Sequence, residues 1–144
     1  MTKPALLDVN VLIALFDPTH VHHEPAHDWF ADNRSRGWAT CPLTENAFVR
    51  ILSRPLPGRP VERPAILAGH LRALCGAADH LFWPDTISLL DPDRFELSGA
   101  PQRELTDIYL AALASAHGGV LATFDASIFV AAAPGADLEV IGAG

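Results

Sequence analysis

The sequence predicts an α/β fold, a sandwich built around a mostly parallel central sheet. Short apolar runs, "LLD", "WATC" and "VLATFD", alternate with longer segments of helical periodicity. At 144 residues and 49% hydrophobic, the chain is long enough for a real core in one domain, residues 1–144. No repeat, low-complexity tract or internal boundary divides it.

Residues 5–8 read as a short buried strand. A helix is expected from about Val11 to Phe16, with Asn10 as its cap. "FDPTH" is a turn, and a second helix is expected over about Val21 to Asn33, with Ala26, Trp29 and Phe30 inward. Gly37 breaks it and "WATC" forms the second strand. "PLTENAFVRILS" is helical, with Thr44 as candidate N-cap and Glu45 in the first turn. A proline-rich loop, "RPLPGRPVERP", leads to the helix "AILAGHLRALCG", ended by Gly76. "HLFWPD" suggests a third strand, and "ISLLDPDRFELSGAPQRE" is divided between short helical turns and loop. "LTDIYLAALASAHGG" is the clearest helix, with Thr106 as candidate cap, Asp107 beside the N-terminal dipole and a glycine pair at its end. "VLATFD" and "LEVI" supply the last strands. Trp38 and Phe48 read as core.

No apolar run approaches the ~18 residues of a membrane span. The N-terminus shows no basic region followed by a long apolar segment, so a cytoplasmic location is expected. Cys41 and Cys75 stand far apart and read as reduced thiols. The net charge of −7 argues against a passive nucleic-acid binder, but not against an enzyme whose acids are offset by divalent cations. Arg50, Arg54, Arg59 and Arg63 cluster within one stretch. They read either as a solvated face or as a wall that meets phosphates.

The acids carry the chemistry. Asp8 and Asp125 each end an apolar strand, while Glu45 and Asp107 each follow a Leu-Thr pair at a helix start. In an open parallel sheet, ligands bind beyond the carboxyl ends of the strands. Asp8, Asp125 and Glu45 are therefore expected to converge there, joined by Asp107 if its helix starts at that edge. Converging carboxylates raise one another's pKa, and a hard divalent cation relieves the repulsion. Singly, Glu45 or Asp107 is equally well read as a helix-dipole partner.

With these motifs in place, "LLDVNVLIALF", "WATCPLTENAFVRIL", "LTDIYLAALASAHGG" and "LATFD", the sequence resembles the PIN domain, specifically the VapC toxins of bacterial toxin–antitoxin pairs. The resemblance covers nearly the whole chain. It implies a three-layer α/β/α sandwich and a ribonuclease dependent on Mg²⁺ or Mn²⁺. Carried over by position, the family's acids fall on Asp8, Glu45, Asp107 and Asp125, with Asn10 and Thr123 as polar neighbours. A homodimer and a VapB-like antitoxin are implied as well. Arg50 and Arg54 become candidate contacts to the RNA backbone. Many relatives carry a further acid soon after the position of Asp125, where this chain has Ser127 and Ile128. Many also carry basic residues where this chain has "SIFVAAAPG".

Other chemistries fit less well. "HVHHEPAH" invites a zinc site at His20, His22, His23 and His27, but Pro25 interrupts the spacing and no HExxH is present. Surface or loop-packing histidines are the expectation. A phosphotransfer receiver needs a lysine late in the sheet, and the only lysine is Lys3. A dehalogenase-type phosphatase needs an aspartate where Asn10 stands, and neither a P-loop nor a GxSxG elbow occurs. Two readings within the fold stay open: an RNA-processing nuclease outside any toxin pair, and a catalytically silent interaction module.

Overall fold

The structure, a computed structural model, describes residues 2–58 and 60–142; Arg59 of the arginine cluster lies outside the described residues. The strands are β1 (Ala5–Leu7), β2 (Trp38–Thr40), β3 (His80–Phe82), β4 (Val120–Thr123) and β5 (Leu138–Val140). The helices are α1 (Val9–Phe16), α2 (His23–Asn33), α3 (Pro42–Leu52), α4 (Pro64–Cys75) and α5 (Leu105–Ala116). The five strands form one sheet in the order β3-β2-β1-β4-β5, and every neighbouring pair is parallel. Chain order moves outward from β1 to β3, then returns to β4 on the other side of β1. The order therefore reverses between β1 and β4, and this is the crevice where open α/β sheets bind ligands.

Strand alternation divides the core. Ala5, Leu7, Trp38 and Ala122 face one side and pack with α1, α2, α3 and α4. Leu6, Ala39 and Leu121 face the other and pack with α5 and the turns after β4. This is the expected three-layer α/β/α arrangement. Both faces of the central strands are covered, which is why "ALL" and the "VLA" of β4 are continuously apolar. Leu6, Leu7 and Leu121 are fully buried. Each stabilises the fold by about 1.5–3 kcal/mol relative to exposure.

The helix starts differ from expectation. Asp8, not Asn10, caps α1; its extended backbone turns the chain out of β1 and its Oδ1 accepts the Val9 N–H at 2.7 Å. Asn10 lies inside the first turn. Cys41 occupies the N-cap of α3, and Thr44 stands three residues in, its hydroxyl accepting the Cys41 N–H at 3.0 Å. The helix takes Pro42 at its start because proline has no N–H to leave unpaired there. Thr106 does not cap α5, because a 3-10 turn over Gln102–Glu104 runs straight into the helix and puts Glu104 at the boundary. The second helix starts at His23 rather than Val21, with Pro25 in its first turn, where an N–H would have no helical acceptor.

The end of α5 follows expectation. Gly118 adopts φ 75°, and a Cβ on Gly119 would meet the Pro4 carbonyl oxygen and the Trp83 ring at 2.5 Å each. The pair turns the chain and lets it pass against the start of β1. Cys41 and Cys75 are both free thiols. No described helix is long and apolar enough to cross a membrane.

Candidate active site

The crevice between β1 and β4 is organised by Thr123, the last residue of β4. Its buried hydroxyl donates to Asp8 Oδ2 at 2.8 Å. One hydroxyl has one proton, so its other contacts must be donors to it. They are: the Asp125 N–H lies at 3.1 Å and Asn10 Nδ2 at 3.4 Å. The same oxygen thus joins β1, α1 and the turn that carries Asp125. Asn10 Oδ1 is buried with no hydrogen-bond partner among the described residues.

Electrostatics place Asp107 beside this set. Its pKa is pushed up to about 6 by burial, then by the charges of Asp8, Asp125 and Glu104, with no hydrogen-bond donor among the described residues to offset them. Burial also raises the Asp8 carboxyl, partly countered by the donors Thr123 and Val9, and Asp125 adds to the rise. Asp125 differs. The hydroxyl and N–H of Ser127 meet its Oδ1 at 2.6 and 2.8 Å and lower its pKa. Asp8, Asp107 and Asp125 therefore share one electrostatic site.

Glu45 lies at the same sheet edge but faces elsewhere. Its Oε2 accepts the Thr40 hydroxyl at 2.7 Å, and Thr40 Oγ1 lies 2.8 Å from His80 Nε2. Since the Thr40 proton goes to Glu45, His80 Nε2 must carry the proton of the second bond. Burial lowers the His80 pKa, and Glu45 partly opposes this. Glu45 also borders a cleft of about 310 Å³ lined by Val49, Ala68, Leu71, Arg72 and Cys75. Neither Asp8 nor Asp107 registers its charge.

Arg50 is exposed in the last turn of α3 and Arg54 is exposed just past its end, whereas Glu45 stands in the first turn. The histidines serve the fold. His23 Nδ1 and His27 Nε2 donate to the carbonyls of Ala14 and Leu15 at 2.6 and 2.8 Å, satisfying the open end of α1. His22 stacks on Phe124 with ring centroids 4.4 Å apart.

Glu104 is the acid that motif reasoning passed over. The signal was present, since "ELTD" places it one helical turn before Asp107. Thr40 and His80 carried no such signal, because only the pairing of β2 with β3 brings them together.

The PIN domain family model matches residues 5–133. The chain belongs to the PIN-domain family. Its similarity to curated members is extensive. Ribonuclease VapC39 of Mycobacterium tuberculosis is 46% identical over 134 residues, covering 91% of this chain and 95% of the relative. Ribonuclease VapC44 of the same organism is 45% identical over 139 residues, covering 92% and 93%. Among solved structures, FitAB bound to an IR36 DNA fragment superposes with TM-score 0.62 at 19% identity, covering 94% of each chain. The M. tuberculosis toxin VapC20, described as cleaving the sarcin-ricin loop, superposes with TM-score 0.60 at 15% identity, covering 92% and 98%. At such identities the superpositions speak to the PIN fold alone.

The donors of this PIN-domain site suit a hard divalent cation. They are carboxylate oxygens that repel one another, with the orphaned Asn10 Oδ1 close by. Among the described residues, no group of three or more His, Cys, Asp or Glu side chains forms a ready-made cage.

Proposed function

We propose that this PIN-domain protein is an endoribonuclease dependent on Mg²⁺ or Mn²⁺, the toxin of a VapBC-type pair acting in the cytoplasm. The observation that supports it best is the meeting of Asp8, Asp107 and Asp125 at the β1–β4 crevice, where burial and then repulsion between the acids push Asp107 up to about 6. Such an arrangement costs stability unless a cation joins it. The likeness to VapC39 and VapC44, both named ribonucleases, supports RNA as the substrate.

In this reading Asp8 and Asp107 are the principal cation ligands and Asp125 completes the set; Glu45 joins them only by giving up the Thr40 hydroxyl that holds it. The cation supplies positive charge for the phosphodiester and lowers the pKa of water. Thr123 and Asn10 hold the ligands in place. The Thr123 hydroxyl and the Val9 N–H each hold one Asp8 oxygen, at 2.8 and 2.7 Å, and so fix how the carboxylate faces the site. Buried Asp8 and half-buried Asp107 border a partly dehydrated floor, where their charges act more strongly than in bulk water. Arg50 and Arg54 meet the RNA backbone beyond the site. A VapB-like antitoxin blocks the site, and the toxin, one domain over residues 1–144, pairs as a homodimer.

The test is direct. Purified protein is incubated with a structured RNA and Mg²⁺ or Mn²⁺, with and without EDTA. Cutting should require the cation and vanish in Asp8→Asn and Asp107→Asn, while circular dichroism shows the fold retained. Cutting that persists in either folded variant overturns the assignment. Sequencing of RNA ends after brief expression, wild type against Asp8→Asn, names the target.

A further inference from the structure

Glu104 poses a question that the motif acids do not answer. It is 9% exposed, and carboxylates are seldom so buried without a partner. Among the described residues, the one cation in reach is Arg103 at 3.9 Å, whose side chain is 82% exposed, a weak pairing. What it does hold is backbone. Glu104 Oε1 accepts the Phe129 N–H at 2.8 Å, across 25 residues of sequence.

Both ends of that bond belong to cation-site segments. Glu104 immediately precedes α5 and stands one turn before Asp107. Phe129 closes the loop that begins at Asp125, where Ser127 already holds the carboxylate and Ile128 is buried at 4% exposure. One side chain thus ties the loop of Asp125 to the helix of Asp107. A glutamine could accept the same bond without a charge. The carboxylate instead keeps a negative charge one helical turn before Asp107. A charge at that position makes physical sense when a cation shares it.

We propose that Glu104 is a positioning residue for the cation site: it braces the Asp125 loop against the start of α5, and its charge adds to the attraction for the ion. The inference rests on the proposed cation-dependent function.

The experiment measures Mn²⁺ binding to the whole chain by calorimetry and electron paramagnetic resonance, with no RNA present. Hydrogen exchange at the Phe129 amide is followed in parallel. Wild type, Asp8→Asn, Glu104→Gln and Glu104→Ala are compared. Glu104→Ala should weaken Mn²⁺ binding by about tenfold or more, as loss of a supporting residue does, and should speed Phe129 exchange. Glu104→Gln should restore slow exchange but bind Mn²⁺ less tightly than wild type, because the bond returns without the charge. Wild-type affinity in Glu104→Ala, with Asp8→Asn impaired, overturns the inference and leaves the functional reading intact. Wild type that binds Mn²⁺ no better than Asp8→Asn overturns both. If Glu104→Ala does not fold, Glu104→Gln decides: unchanged affinity overturns the inference and reduced affinity supports it.

Discussion

Thr123 donates its hydroxyl to Asp8 at 2.8 Å across 115 residues of sequence, and so locks the end of β4 to the cap of α1. The bond exists because β1 and β4 are parallel neighbours, with Leu7 opposite Ala122. Thr123→Val keeps the shape and removes the hydroxyl. It leaves the Asp125 N–H without its acceptor and Asp8 without its donor. We expect a loss of about 1–3 kcal/mol in urea unfolding of the cation-free protein. We also expect RNA cleavage to fall by about 10- to 100-fold, measured as initial rates at fixed Mg²⁺. Wild-type rates in a folded Thr123→Val would remove Thr123 from the site.

Asp107 makes the cation-free protein pH-sensitive. Its folded pKa of about 6 lies above the ordinary aspartate value of 3.8, so the folded state binds the proton more tightly. The destabilising contribution is fully present above pH 6. It is relieved as pH falls through 6 and is gone below the unfolded value. In EDTA at pH 7, Asp107→Asn should therefore melt above wild type. The gap in Tm should narrow as pH is lowered towards 4. A gap that is constant with pH, or a variant that melts lower at pH 7, would contradict the clustered-acid geometry.

The Glu45 arm rests on Thr40, which is fully buried between Glu45 and His80. Thr40→Val deprives a carboxylate of its hydroxyl donor and leaves the His80 N–H unmatched. A hydrogen bond to a charged group contributes roughly 1.5–3 kcal/mol, so the variant should lose stability on that scale in denaturant titration. His80→Ala in the Thr40→Val background should cost less than in wild type, because the two act through one string. Strict additivity would show that the string carries no coupling.

Gly119 has no room for a side chain. Gly119→Ala would drive a methyl to within 2.5 Å of the Pro4 carbonyl oxygen, which is backbone and cannot rotate away. Overpacking of this kind costs about 1–3 kcal/mol, read as a lower Tm. Gly118→Ala meets open space and should lose stability only through its φ of 75°. Equal stability of Gly119→Ala and wild type would mean that α5 and β1 are less tightly joined than the structure has them.

Much of this was legible beforehand for a physical reason. Period-two and period-3.6 patterning reports burial directly, so "VLAT" and "LTDIYLAALASA" announced β4 and α5. Helix starts were less legible. Asn10, Thr44 and Thr106 are all good cap residues by type, yet Asp8, Cys41 and Glu104 hold the cap positions. A cap is chosen by where the preceding strand or turn releases the chain, and residue preference is a weak guide to that. Strand and helix ends point to Asp8, Asp125 and Glu45, with Asp107 conditional on where its helix starts, whereas the charges that couple are those of Asp8, Asp107 and Asp125. Glu45 shares their edge but turns to Thr40.

The sequence by itself determined the layer architecture, the edge of the sheet where the acids gather, and the family to which the chain belongs. Hydrophobic period and the placement of charge at strand ends are local properties, and they are written into consecutive residues. Only the tertiary structure decided which carboxylates feel one another. It set Glu104 among them, turned Glu45 towards His80, and made Thr123 the shared hydrogen-bond partner of Asp8, Asn10 and Asp125. Those relations depend on strand order and on the direction of single side chains. Carboxylate coupling weakens with distance and with solvent screening, so it answers to packing rather than to sequence spacing.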